Sequence, residues 1–322
     1  MLVPVLLFLL GFVLLIKGGD WFVDGATGIA HRFHLPELLI GATVVSIGTT
    51  LPEVMVSSQA AILGNSGISY GNAIGSIICN TSLIAALTVA IRPSAVNKKA
   101  LVFPVISFFI AAAIYAGVAY ISGFFSRWIG ILFLSLFVIY MVITCLQMKK
   151  HPDEAGEAEE ETKAERPLWL ELVLLVVGAA AIAFGANLLV NNGTLIAQAL
   201  GVPDSVIGLT MVALGTSLPE LITAITALIK GHSALSLGNI IGANLFNIVL
   251  VSGAAITISP FAIPVEKTLM GMNASLVVDI PLMMTVMAIL CLPALATGKL
   301  KRWQGILLLC LYVAFTAFQF MT

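Results

Sequence analysis

The stretch GATVVSIGTTLPE at 41–53 returns as GLTMVALGTSLPE at 208–220. The same offset carries GNAIGSIICN at 71–80 onto GNIIGANLFN at 238–247, and eighteen of the forty pairs between 41–80 and 208–247 are identical without a gap. Gly18 with Gly185, Thr27 with Thr194 and Pro36 with Pro203 keep that spacing. Two unrelated apolar helices match by chance at Leu and Val. Here the matches fall on Gly, Pro, Asn and Glu, so the chain is an internal duplication.

The residues around the repeat set its solvent. Of 322 residues, 60% are hydrophobic and 10% charged, against about 45–50% and 25% in soluble domains. A soluble fold cannot hide so much apolar surface, so the chain belongs in a bilayer. A net charge of −1 excludes nucleic-acid binding driven by bulk positive charge. A spanning helix needs about 20 apolar residues. Ten segments qualify, at 2–30, 36–63, 69–91, 99–121, 125–148, 168–199, 203–229, 236–258, 268–293 and 302–321. They are too long and too continuously apolar for the strands of a membrane barrel. The first lacks a basic leader and a small-residue cleavage site, and reads as a retained helix rather than a signal peptide. Cys79, Cys145, Cys291 and Cys310 lie singly in apolar segments and read as packing residues.

The expected fold is therefore an all-α polytopic membrane protein: ten transmembrane helices as two five-helix repeats, 1–148 and 167–322, joined by the acidic segment 149–166. An odd number of crossings per half makes the halves inverted, and transporters so built place their site at the repeat interface near the midplane. With the N-terminus outside, twelve of the fifteen Lys and Arg fall at cytoplasmic loops, as the positive-inside rule demands. The joining segment, with seven acids and no Phe, Trp, Tyr, Leu, Ile or Val, reads as a disordered cytoplasmic linker.

The repeated segments carry the chemistry. Pro52 and Pro219 cannot donate to the carbonyls of Gly48 and Gly215, so each helix is expected to open there and leave backbone oxygens that lipid cannot satisfy. Thr49, Thr50 and Glu53 share a region of one helix face; Thr216, Ser217 and Glu220 repeat it. Asn72, Ser76 and Asn80 form a stripe on the third helix, and Asn239, Ala243 and Asn247 the equivalent on the eighth. Gly71 with Gly75, and Gly238 with Gly242, predict close helix approach. Every donor is an oxygen, which suits a hard cation. Two carboxylates match the charge of one Ca²⁺, which accepts six to eight oxygens at irregular angles, whereas Mg²⁺ demands a tight octahedron.

These motifs resemble the two α-repeats of the cation/Ca²⁺ exchanger superfamily, and within it the prokaryotic Na⁺/Ca²⁺ exchangers. The resemblance implies an antiporter, not an enzyme, in which several Na⁺ and one Ca²⁺ compete for overlapping sites by alternating access across the cell membrane. It implies that Glu53 and Glu220 bind both ions. Thr49, Thr50, Thr216 and Ser217 would supply hydroxyl or carbonyl oxygens, and Ser46 and Ala213 backbone carbonyls. Ser76 and Asn80 would contribute from the third helix and Asn247 from the eighth. Part of the family has Ser at the position of Ala243 and Asp at that of Asn247; lacking that acid argues against K⁺ coupling. No cofactor, nucleic acid or obligate protein partner is implied beyond the ions and the bilayer.

A H⁺/Ca²⁺ exchanger of the same fold remains the alternative. An intramembrane hydrolase built on His31, His34 and Glu37 lacks an HExxH helix, and a channel would call for rings of pore-lining charge. Asp20 and Asp24 either attract cations toward the mouth or form a solvated helix end. Asp279 has no evident partner.

Overall fold

A computed structural model describes residues 2–150, 166–200, 215–265, 268–269 and 271–321. Most of the acidic linker and the segment 201–214, which holds Ala213, lie outside them. The described chain is a bundle of ten helices: α1 Leu2–Arg32, α2 Glu37–Ile62, α3 Ser66–Ile91, α4 Lys98–Ile121, α5 Arg127–Lys150, α6 Leu168–Ala199, α7 Leu218–Ile229, α8 Ser233–Ile258, α9 Ser275–Thr297 and α10 Arg302–Met321. Eight of them, α1 to α6 with α8 and α9, are long and apolar enough to cross a membrane by themselves.

Burial sorts the helices into layers. In the most apolar window of α8, 83% of residues are inside the protein; in those of α1, α5 and α6 it is 22%. A helix apolar all round but mostly uncovered must face lipid, whereas α8 is the bundle's centre. Leu237, Ile240, Ile241, Leu245 and Phe246 fill that centre with Ile74, Ile77 and Ile78 of α3. Phe246 lies edge-on to Phe137 and Tyr140 of α5. Cys79 and Cys291 are buried packing residues, but Cys145 and Cys310 are exposed and belong to the lipid face.

Close approach depends on the predicted glycines. A Cβ on Gly238 would strike the carbonyl of Leu38, and one on Gly242 the Ser46 hydroxyl and the backbone of Ala42, so α8 can lie against α2 only without side chains there. Gly71 and Gly75 meet nothing within 4 Å among the described residues; their partners by symmetry would fall in 201–214. Gly238→Val should therefore lower thermal stability by about 1–3 kcal/mol, the usual cost of overpacking. Melting of the purified protein in detergent checks this.

A second glycine seam runs between α1 and α6. Gly11, Gly18 and Gly25 recur every seven residues, and a Cβ at each would meet the α6 backbone at Gly185, Gly178 and Glu171 respectively. This heptad spacing keeps two antiparallel helices in register along their length.

Two expectations are modified. The ninth helix begins at Ser275 and ends at Thr297, not 268 and 293. Thr268–Leu269 and Met272–Asn273 instead pair as a small hairpin, because Gly271 takes a positive φ of 78° and turns the chain. Pro293 is carried inside the helix, which stops at the left-handed Gly298. Nor does α2 break at Pro52, which lies within a continuous helical run from Ser46. The distortion is a π-turn upstream, at Gly41–Val45. In the second repeat the chain does open beside the proline: α7 begins at Leu218 after a turn at Thr216 and Ser217.

Candidate functional site

Four helices meet at the centre of the bundle, α2 and α3 from the first repeat and α7 and α8 from the second. Each of α2, α3 and α8 carries a π-turn there. Those of α3 and α8, Asn80–Ala85 and Asn247–Ser252, occupy equivalent positions in the repeat and start on the two stripe asparagines. A π-turn widens the backbone, leaves carbonyls short of donors and is common at functional sites. Side chains take up part of that deficit. Ser46 Oγ donates to the Gly41 carbonyl at 2.7 Å, Tyr140 to that of Ala42 at 3.1 Å and Ser252 to that of Asn247 at 3.0 Å.

Glu53 and Glu220 are fully buried. Glu220 lies close enough for its charge to act on Glu53, and Thr49 and Thr50 of α2 lie near the Glu220 carboxyl. None of the four carboxyl oxygens has a hydrogen-bond partner, and the same holds for Thr50 Oγ1, Ser217 Oγ, Asn80 Oδ1 and Asn247 Oδ1. Eight unpartnered buried oxygens therefore come from six residues, all anticipated in the sequence. Among the described residues no group of three or more His, Cys, Asp or Glu that could hold a metal ion occurs, so the donors are two carboxylates and neutral oxygens. Such a set fits a hard divalent cation or Na⁺ and offers nothing to a soft metal.

Two struts cross between the repeats and fix this geometry. Thr49 Oγ1 donates to Asn239 Oδ1 at 3.2 Å, and Thr216 Oγ1 donates to Asn72 Oδ1 at 3.3 Å. They are images of each other under the repeat offset. Each threonine donates its proton to an asparagine, which leaves the hydroxyl oxygen's lone pairs free to accept. Asn72 also donates to the Glu53 carbonyl at 3.2 Å and to Ser57 at 2.8 Å. Ser46 is tied to the Asn239 carbonyl at 2.9 Å. Asn72 and Asn239 are thus positioning residues, and Ser76 is a buried member of the α3 stripe. Ala213 falls outside the described residues.

Sequence reasoning overlooked Asn244, whose Nδ2 donates to Thr81 at 2.7 Å and so ties α8 to the π-turn of α3. Its only signal was an asparagine in an apolar helix. Away from the centre, Glu37 bonds His232 at 2.7 Å and lies 3.9 Å from His31, which leaves the imagined His31, His34 and Glu37 trio without a metal-like arrangement. Asp279 accepts from Gln319 at 3.4 Å. Asp20 and Asp24, expected to form a solvated helix end or to attract cations, face Lys230.

Ten helices in inverted halves, with paired carboxylates from oppositely oriented elements in an oxygen cage, define a polytopic membrane exchanger for cations rather than an enzyme. The sodium/calcium exchanger protein family profile matches residues 3–146 and 170–321, and the chain belongs to that family. It is 39% identical over 309 residues to an uncharacterized membrane protein of Methanocaldococcus jannaschii, covering 95% of this chain and 94% of that one. It is 32% identical to the sodium/calcium exchanger MaX1 of Methanosarcina acetivorans, with 96% of each covered. A solved structure of the sodium-calcium exchanger NCX_Mj, soaked with Na⁺ and Ca²⁺, superposes with a TM-score of 0.80 at 34% identity over 98% of both chains. Cation/Ca²⁺ exchange is the activity these findings establish.

Proposed function

We propose that the protein is an electrogenic Na⁺/Ca²⁺ antiporter of the cell membrane, working by alternating access with Glu53 and Glu220 as its shared ion ligands. The observation that carries the reading is the set of eight buried, unpartnered oxygens, four of them the carboxylates' own and four from Thr50, Ser217, Asn80 and Asn247. Left empty, such a cage holds two uncompensated charges at bilayer depth, which is costly. Occupied by one Ca²⁺, or by Na⁺ ions, it is neutral or nearly so. Ser46, Thr49, Thr50, Ser76 and Asn80 on one side and Thr216, Ser217, Ala213 and Asn247 on the other complete the proposed ligand set.

Movement falls to α1 and α6. Their glycine seam makes them one body, and they bear on the core through Phe22, whose ring would meet a Cβ on Gly48, and Val190, which would meet one on Gly215. Those glycines own the carbonyls that Pro52 and Pro219 leave without a donor. A neutralised cage lets the pair slide across it; an empty, doubly negative cage resists the passage of apolar side chains. Only loaded forms cross, and that restriction is the coupling. Topology follows the basic residues, with the N-terminus outside and 149–166 in the cytoplasm.

Hydroxyls in both repeats favour Na⁺ over H⁺ as the counter-ion, since a proton needs no cage. Proteoliposomes holding purified protein and offered Ca²⁺ against opposing Na⁺, K⁺ or H⁺ gradients test this. Uptake should follow the Na⁺ gradient alone. Uptake driven by the pH gradient with no Na⁺ present would establish the proton exchanger instead.

A further inference from the structure

Lys230 closes the C-terminal end of α7. Its ammonium lies 2.7 Å from Asp24 Oδ1 and 3.4 Å from Asp20 Oδ1, and donates to the Asp20 backbone carbonyl at 3.0 Å. An ammonium has three protons, and here three acceptors face it, all on α1. Asp20 and Asp24 stand one helical turn apart, so one cation on the core grips one short stretch of the α1/α6 pair. Arg166 at the foot of α6 lies 3.8 Å from Asp24 Oδ2, which places both members of the pair at this junction. The grip sits at the end of the bundle from which 149–166 departs, and the Glu37–His232 hydrogen bond joins α2 to the α7–α8 connection at the same end.

We propose that Lys230 with Asp20 and Asp24 is a conformational latch, holding the α1/α6 pair against α7 so that the linker end of the ion path is shut. The proposal rests on the sliding-pair reading above. Displacing α1 by one helical turn moves it about 5.4 Å, which carries one carboxylate beyond reach of an ammonium fixed to α7 and leaves the other near the place its neighbour held. The three-acceptor grip therefore exists in the arrangement seen here and is weakened when the pair slides. A contact stronger in one of two states biases the equilibrium between them. Side-chain exposures of 25% for Lys230, 39% for Asp20 and 36% for Asp24 keep that bias modest and open to screening by salt.

The test uses the full chain in sealed vesicles of both orientations and reads the apparent affinity for Ca²⁺ from each side. Because apparent affinity scales with the fraction of protein in the competent state, loosening the latch should tighten linker-side affinity and weaken the opposite side. Asp24→Asn and Lys230→Gln should each change the ratio of the two constants about two- to fivefold in that sense. The double variant should go no further than Lys230→Gln alone, which already removes the Lys230–Asp24 interaction. The effect of either single change should shrink in 0.5 M choline chloride. A ratio unmoved in Asp24→Asn, a change of opposite sign, or additive effects in the double variant would overturn the latch. Asp24→Asn preserves shape, so it decides the matter even where Lys230→Gln does not fold. Failure of the exchanger reading is separable: the wild-type chain would then show no Na⁺-driven Ca²⁺ flux from either side.

Discussion

Glu53→Gln and Glu220→Gln are each expected to abolish Ca²⁺ transport while making the ion-free protein more heat-stable, not less. The two effects have one cause. Both carboxyl groups are fully buried with no hydrogen-bond partner on any of their four oxygens, and two carboxylates held close together repel when both are ionised. In the empty protein each acid is therefore a burden, and amidation removes a buried charge that nothing offsets. With Ca²⁺ bound the balance reverses, because a site of charge −1 leaves a divalent ion half neutralised. Removing one partner of a buried charge pair costs about 3–5 kcal/mol, which lowers affinity about 10²- to 10³-fold or more. Melting curves with and without Ca²⁺ distinguish the contributions. The wild type should gain about 2.7 kcal/mol at a hundred times its dissociation constant, whereas either Gln variant should melt at one temperature regardless of Ca²⁺. Variants less stable than wild type in the absence of ions would show that the acids act as structural hydrogen-bonding groups.

The second large effect concerns voltage. If three Na⁺ exchange for one Ca²⁺, one net charge crosses per cycle, and the membrane potential contributes about 2.3 kcal/mol per 100 mV. The Ca²⁺ ratio at which net flux stops should then shift about fiftyfold for each 100 mV clamped across the vesicle. A tenfold change in the Na⁺ ratio should move the same point about a thousandfold, as the cube. Exchange of two Na⁺ for one Ca²⁺ predicts no response to voltage and a hundredfold response to Na⁺. Flux reversal in valinomycin-clamped proteoliposomes measures both slopes at once. Ala243 and Asn247 offer an amide and no hydroxyl at their places on α8, and the two slopes decide between the stoichiometries.

Much of this architecture is legible in the sequence because the repeat and the solvent both leave marks there. Continuous apolar runs fix the helices to within a few residues, and the paired LPE motifs identify the acids and their hydroxyl neighbours before any geometry is known. What the sequence hides is of two kinds. A π-turn needs one extra residue in a helical circuit and no change in composition, so GATVV at 41–45 and NIVLVS at 247–252 read as ordinary helix. Long-range pairings leave no local periodicity: that Asn72 would hold Thr216, or Lys230 reach Asp20 and Asp24, depends on which helices become neighbours. The misplaced start of α9 has a simpler cause. Thr268 to Asn273 is apolar enough to pass for a span, and only the positive φ at Gly271 turns it into a hairpin.

The crossed asparagine–threonine struts constrain how such a molecule can be divided. Thr49 rests on Asn239 and Thr216 on Asn72, so each half's proposed threonine ligands are held by an amide the other half owns. A solitary five-helix unit would have its threonines unheld and a single acid facing an incomplete cage. It would become competent only by meeting a second unit threaded through the bilayer the opposite way.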